Sequence, residues 1–242
     1  MAFLAKPRAL PDMYLCGNPL PWVSSLKHLG TMVTNTIDGC QQDMRQKNAK
    51  YIDKNCTLDQ EFYFAHPSVK LKLNTIYNSH FSGSQVWNLF SKGMATLEGT
   101  YNRSVKVMSK LPYQTHRYLI EPISGTSHMK LKILKNYLGF IGQVRESPKH
   151  VLRQLYSLTR LDARTVTGQN LRNILLLTDK LHVDQLNQSV VSDIKYHEIE
   201  PNDLWRINIV KEIIDIKHGN LVKPDGWTEE ELDTMLNTAC SL

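Results

Sequence analysis

Paired cysteines are missing from this chain of 242 residues. The four it has, Cys16, Cys40, Cys56 and Cys240, form no C-x-x-C and no regular spacing. That excludes a disulfide framework and a zinc ribbon, and the usage is that of a reducing, intracellular environment. Long apolar runs are missing too. The strongest is Ile174-Leu175-Leu176-Leu177, against the roughly 20 residues that a bilayer span needs. The opening Met1-Ala2-Phe3-Leu4-Ala5-Lys6-Pro7-Arg8 has no h-region of signal-peptide length. The expectation is an intracellular protein of nucleus or cytoplasm, not secreted and with no membrane partner.

Motifs of common enzyme chemistry are equally scarce. There is no G-x-x-x-x-G-K-[ST], no G-x-G-x-x-G, no G-x-S-x-G and no H-E-x-x-H. The nine His stand singly, none three or four residues from another His or a Cys, so neither a metal site nor a cofactor is expected. The densest carboxylate run, Glu229–Glu231, is explained by a helix start and its dipole.

Charge is what the sequence has, unevenly distributed. The whole chain carries 29 Lys+Arg against 23 Asp+Glu, a formal net charge of +6, with 41% apolar residues. Residues 101–180 hold 14 basic and 4 acidic side chains, whereas residues 181–242 hold 5 and 12. A basic middle beside an acidic tail implies a polyanion-facing surface and a neighbour with a different task.

The patterning is mainly α. Short apolar stretches at 13–16 and 20–23, separated by Gly17-Asn18-Pro19, predict two strands and a turn, and Leu26–Val33 predicts a third strand. Helical spacing follows. Asp38 is an expected N-cap for a helix with Cys40, Met44, Tyr51 and Ile52 inward. Pro67 opens a second helix, with Val69, Leu73, Ile76, Tyr77 and His80 on one side and Lys70 and Lys72 off it. Met94, Leu97, Tyr101, Val105, Met108 and Leu111 define a third, ended by Pro112. Thr115–Glu121 suggests one turn. Ser127 opens a long helix with Met129, Ile133, Tyr137, Phe140 and Val144 inward, and Pro148 another with Val151, Leu152, Leu155 and Tyr156. Residues 160–170 are a polar loop leading into Leu171–Leu177. The tail folds as Pro201–His218, with Trp205, Ile209, Ile213 and Ile216 together and Gly219 at C′. A capping box at Thr228–Glu231 then precedes Leu232, Met235, Leu236 and Ala239.

Trp22-Val23-Ser24-Ser25-Leu26-Lys27-His28-Leu29-Gly30 resembles the primer-grip strand of reverse transcriptases of non-LTR (LINE-type, jockey-like) retrotransposons. The resemblance continues through Asp38–Asp43, Val69–Leu73, Tyr77–Trp87, Tyr101–Lys106, Leu111–His116, Ile123–His128, Gly168–Leu171, Trp205–Gly219 and Glu230–Cys240, in order along nearly the whole chain. It implies three regions: a β-hairpin remnant of the palm at 1–36, a helical thumb-like bundle at 37–112, and a helical C-terminal module at 113–242, basic first and acidic at its end. The family's Ala-Asp-Asp catalytic turn is absent from this sequence. The chain begins about where that region ends, so the expectation is a remnant that does not polymerise DNA alone.

By the resemblance, Lys27, His28, Leu29 and Gly30 would lie at the primer grip, where a glycine lets a nucleic-acid strand approach closely. The alternative is a glycine that ends a strand and a solvated lysine. Lys70 and Lys72 would touch a primer–template backbone, or be solvated. Arg103, Lys106, Lys130, Lys132, Lys135, Arg145 and Arg164, among the other cations of the middle segment, would face phosphates. Tyr77 and Trp87 read as core, and His116 and His128 as loop hydrogen-bonders. The implied partner is RNA or an RNA–DNA hybrid bound without sequence preference, with an intact retroelement polymerase as a further partner. Two other readings stand beside it: an all-helical protein-interaction module whose acidic tail docks on the basic middle, and an open reading frame without cellular function. The oligomeric state is open.

Overall fold

The computed structural model describes residues 14–19, 23, 25–28, 31–34, 39–78, 81, 83–126, 128–194 and 200–241. Among these residues the protein is mainly helical, with two short hairpins at the start. The first pairs β1 (Tyr14–Leu15) with β2 (Asn18–Pro19) antiparallel, Leu15 opposite Asn18. Cys16 and Gly17 both have positive φ, 51° and 80°, as a tight two-residue reversal requires. The turn thus falls one residue before the expected Gly17-Asn18-Pro19. The second hairpin pairs β3 (Ser25–His28) with β4 (Thr31–Thr34), His28 opposite Thr31. The stretch read as one strand is two, because pairing with itself supplies partners for backbone groups that a lone strand leaves open. Asp38, His80, Ser127, Leu29 and Gly30 lie outside the described residues.

β4 rests on α1 (Gly39–Glu61), which packs against α2 (Pro67–Asn78) and α3 (Lys92–Met108). In α1 the buried line is Met44, Tyr51, Asn55 and Leu58, while Ile52 is exposed. In α2 it is Pro67, Lys70, Leu71 and Asn74, and Val69 and Ile76 face out. That helix is turned by about one position from the expected face because its inward polar groups have partners: Lys70 Nζ lies 2.6 Å from Asp59 Oδ1, and Asn74 Nδ2 donates to Tyr51 Oη at 3.5 Å. Burial pushes the Tyr51 phenol up to about 12. α3 follows its predicted period, with Met94, Leu97, Val105 and Met108 buried and a Ser91 N-cap accepting from the Met94 amide at 3.3 Å.

α4 (Arg117–Ser124) leads to α5 (Met129–Arg145), α6 (His150–Thr159) and α7 (Val166–Thr178). The inward residues of α5 include Ile133, Leu134, Tyr137, Leu138 and Ile141; Phe140 is largely outside. α7 starts five residues earlier than the expected Leu171. Thr165 caps it, accepting from the Gly168 amide at 3.0 Å and donating to the Thr159 and Asp162 carbonyls, both at 2.8 Å. A Cβ on Gly168 would stand 2.2 Å from the Asp162 oxygen, so only glycine lets α7 pass so close to the end of α6. α6 is the largest departure from expectation. Tyr156 is buried, but Val151, Leu152, Leu155 and Leu158 stay exposed.

The principal core joins α1, α3, α5, α6 and α7 with the 3₁₀ turn Gln188–Asp193, and its centre is polar as well as apolar. Trp87 is 0% exposed, and its indole N–H donates to Asp43 Oδ2 at 2.8 Å. Lys47 pairs with the same carboxylate at 2.9 Å and lies over the indole. Asn170, also 0% exposed, donates to the Trp87 carbonyl at 2.8 Å and accepts from the Leu89 amide at 3.0 Å. One side chain on α7 thereby closes the loop between α2 and α3.

A second core is built from Leu119 and Ile123 of α4, Ile207, Val210, Ile213 and Ile214 of α8 (Pro201–Lys217), and Leu232, Leu236 and Cys240 of α9 (Glu229–Ser241). The α9 capping box forms as expected, the Thr228 amide donating to Glu231 Oε2 at 2.8 Å and the Glu231 amide to Thr228 Oγ1 at 3.2 Å. The Thr228 amide, and then the Thr228 hydroxyl donating to Glu231 Oε2 at 3.1 Å, hold the Glu231 carboxyl below its ordinary range. In α8, Trp205 is exposed and Ile207 and Val210 take the inner positions expected for Trp205 and Ile209. A third cluster, Leu58, Leu71, Val105, Met108 and Ile120, sits between the others. α4 turns Ile120 to that cluster and Leu119 and Ile123 to the second, and the principal core draws on both sides of residue 112.

Replacing Asn170 with Ala leaves the Leu89 amide and the Trp87 carbonyl buried without partners. The expected loss is about 2–4 kcal/mol, from two unsatisfied backbone groups, measured by urea unfolding. A loss below 0.5 kcal/mol would show that the clamp is dispensable.

Candidate nucleic-acid interface

The 14 cations of residues 101–180 divide into those that the protein uses internally and those it leaves outside. Arg164, though exposed, chelates Asp162 through Nε and Nη2 at 3.0 and 3.1 Å, bonds that hold the carboxyl below and the guanidinium above their usual ranges. Arg160 pairs with Asp184 at 3.0 Å. Arg145 reaches Glu146 Oε1 at 3.3 Å and the Asp184 carbonyl at 3.4 Å. Lys130 lies half-buried over the Phe90 ring, 5.0 Å from its centroid, and burial lowers its ammonium's pKa. Arg117 contacts Glu98.

Others present their charge outward. Lys132 and Lys135 lie on the outer side of α5, one turn apart. Arg153 on α6, Arg172 on α7 and Lys149 between α5 and α6 are also exposed. None of these five has an ion pair among the described residues. Of the cations proposed for the earlier segments, Lys72 is exposed on α2 and Lys27 on β3. Lys70 is not on the surface: it is 2% exposed and neutralised by Asp59, so the expected phosphate contact is corrected to an interior ion pair. His28 ends β3 opposite Thr31. Leu29 and Gly30 fall outside the described residues.

Arg103 and Lys106 come together on one face of α3 with Thr96, Gly99, Thr100 and Asn102, and with Tyr113 from the following loop. These residues line an open cleft of about 460 Å³. The loop returns to α3 because the helix ends with the Leu111 amide donating to the Lys106 carbonyl at 2.8 Å and with Lys110 at φ 53°. Lys106 then ties the loop down: its ammonium donates to the Tyr113 carbonyl at 2.7 Å and lies 5.7 Å from the Tyr113 ring centroid. Partial burial lowers its pKa. Tyr113 was missed as a site residue, although an aromatic set between Pro112 and Gln114, outside any apolar period, is a usable signal.

Beside this face, Glu98 is buried between Arg117 and His128, whose Nε2 lies 2.9 Å from Glu98 Oε1. Burial, then the Arg117 charge, pushes the His128 imidazole down to about 4, against a smaller upward effect of Glu121.

No helix among the described residues is long and apolar enough to cross a membrane, and no group of three metal-ligating side chains occurs among them. No family model, no curated protein and no solved structure matches the chain.

Two outcomes are expected. Lys110 occupies a left-handed position that glycine adopts without strain, so Lys110→Gly should stabilise the protein by about 0.5–1 kcal/mol in chemical denaturation; a destabilised variant would contradict this account of the turn. His128 has a lower pKa folded than unfolded, so between about pH 6.5 and 4 the unfolded chain binds the extra proton and stability falls as pH falls. His128→Gln should show a shallower decline of melting temperature across that window. An unchanged slope would remove His128 as its source.

Proposed function

We propose that this protein is related to the thumb and C-terminal region of non-LTR retrotransposon reverse transcriptases. It binds RNA or RNA–DNA hybrid without reading sequence, and it does not polymerise DNA by itself. Its substrate-side partner is the phosphate backbone, and an intact retroelement polymerase is the protein that such a module would accompany.

One observation carries this reading over its main competitor: beyond Asp184, no acid of the tail pairs with a cation of the basic segment among the described residues. Asp203 pairs with Arg206, Asp233 with Lys217, and Glu229 with Lys223, while Asp215 meets His66 of the α1–α2 turn. The tail meets α4 through Ile207, Val210, Ile213 and Leu232 and through hydrogen bonds that are not ion pairs, the Tyr118 hydroxyl donating to Asp203 Oδ1 at 3.4 Å and the His116 amide to the Cys240 carbonyl at 3.3 Å. Asp184, just past the basic segment, is the acid beyond residue 180 that pairs with a cation of that segment among the described residues. The outward lysines and arginines of α5, α6 and α7 therefore keep their charge, and phosphates are the natural counterions for it.

The second reading, a protein-interaction module, has its own support in the exposed Val151, Leu155, Leu158 and Leu161 around α6. Removing the tail does not separate the readings, because that would open the second core. Salt dependence does. Hairpin RNA and an RNA–DNA hybrid should bind with micromolar-class affinity. If three phosphates are neutralised, affinity should fall roughly forty-fold between 50 and 200 mM salt. Lys132→Ala with Lys135→Ala should flatten the slope by about 1.8. Absent or salt-insensitive binding would overturn the proposal and favour the interaction module.

A further inference from the structure

We infer that the cleft between α3 and the Tyr113 loop is a seat for one unpaired nucleotide of single-stranded RNA, with the base on the Tyr113 ring and its phosphate on Arg103. This rests on the nucleic-acid reading above and adds to it a site, a strand state and named contacts.

Three independent features converge there. The first is the aromatic. Tyr113 is 79% exposed, and a side chain that large left in water is costly unless it has a partner to stack on. Its backbone is held at two points, by Lys106 on the Tyr113 carbonyl and by Thr115 Oγ1 on the preceding carbonyl of Pro112 at 2.7 Å, and the Lys106 ammonium lies 5.7 Å from the ring centroid. A preorganised, exposed ring is what an unstacked base requires, and a base inside a duplex cannot reach it.

The second is the charge. Arg103 lies one turn from Lys106, is exposed, and has no ion pair among the described residues. Lys106 is committed to the loop, so Arg103 is the cation available to a phosphate oxygen in the cleft. Thr96 and Thr100 spend their hydroxyl protons on the Lys92 and Thr96 carbonyls, both at 3.1 Å. Their oxygens therefore face a ligand as acceptors, the complement of a ribose 2′-hydroxyl proton.

The third is Gly99. Glycine inside a helix is about 1 kcal/mol worse than alanine, and such a residue usually relieves a close approach. Here a Cβ would meet nothing within 4 Å. No packing constraint accounts for this glycine. What its missing side chain does is leave the cleft floor between Thr96 and Arg103 open.

Fluorescence anisotropy with the full chain tests this, using a labelled ten-residue oligouridine as the single-stranded probe and a blunt-ended two-strand RNA duplex as the duplex probe. Tyr113→Ala should weaken oligouridine binding about five- to hundredfold and leave the duplex within about twofold; Tyr113→Phe should restore it. Arg103→Ala should reduce the salt slope for oligouridine by about 0.7. Gly99→Leu should weaken oligouridine binding while the melting temperature holds or rises, an outcome that a merely structural glycine would not give. If the duplex binds but oligouridine binding ignores Tyr113→Ala and Gly99→Leu, the cleft assignment falls and the backbone-binding proposal stands. If neither probe binds, both fall. If an acidic peptide binds the cleft and oligouridine does not, the occupant is a protein and the inference is wrong.

Discussion

The fold turns on a single indole. The Trp87 side chain has one polar atom to satisfy, the indole N–H, which Asp43 of α1 meets, while the backbone carbonyl of Trp87 is met by Asn170 of α7. These partners lie 44 and 83 residues away in sequence, so this one residue ties the first helix to the seventh. Burying a carboxylate is unfavourable unless its charge is answered, and Lys47, one turn along α1, answers it. Once that arrangement closes, α3 and α5 have a fixed wall to pack against, and the α3 face that carries Arg103 and Lys106 is oriented by it.

Electrostatics are organised by the same economy. Interior charges are few and each is matched: Lys70 by Asp59, Asp43 by Lys47, Glu98 by Arg117. Of the acids beyond residue 180, Asp203, Asp233 and Glu229 pair with cations of the same segment. The cations Arg103, Lys132, Lys135, Lys149, Arg153 and Arg172 lie outside between residues 101 and 180 with no ion pair among the described residues, and there solvent or a polyanion must supply the counter-charge. A protein with net charge +6 thus has a patterned surface rather than a uniformly basic one.

Much of the helical architecture was legible in the sequence, because apolar spacing and caps speak directly. Met94 to Met108 on α3 and the Thr228–Glu231 box on α9 are read from their residues and found in place. The failures share a cause. Lys70 and Asn74 look like surface residues, yet they face inward, because a partner brought by another helix pays for their burial, and no period records such a partner. Trp205 looks like core and is exposed because Ile207 and Val210 fill the position. Gly168 gave no local hint that Asp162 would pass 2.2 Å from its missing Cβ. At the site, the cations were visible as a composition bias, but which are free depends on pairings such as Arg164 with Asp162. Tyr113 gained meaning only when the helix end brought it back over Lys106.

α6 illustrates how unevenly such a molecule holds itself together. A helix anchored by one buried side chain, Tyr156, with its other large apolar groups already in solvent, loses little when it opens. Its amides would then exchange with water long before those of α3 or α5, and a protease would meet that stretch first.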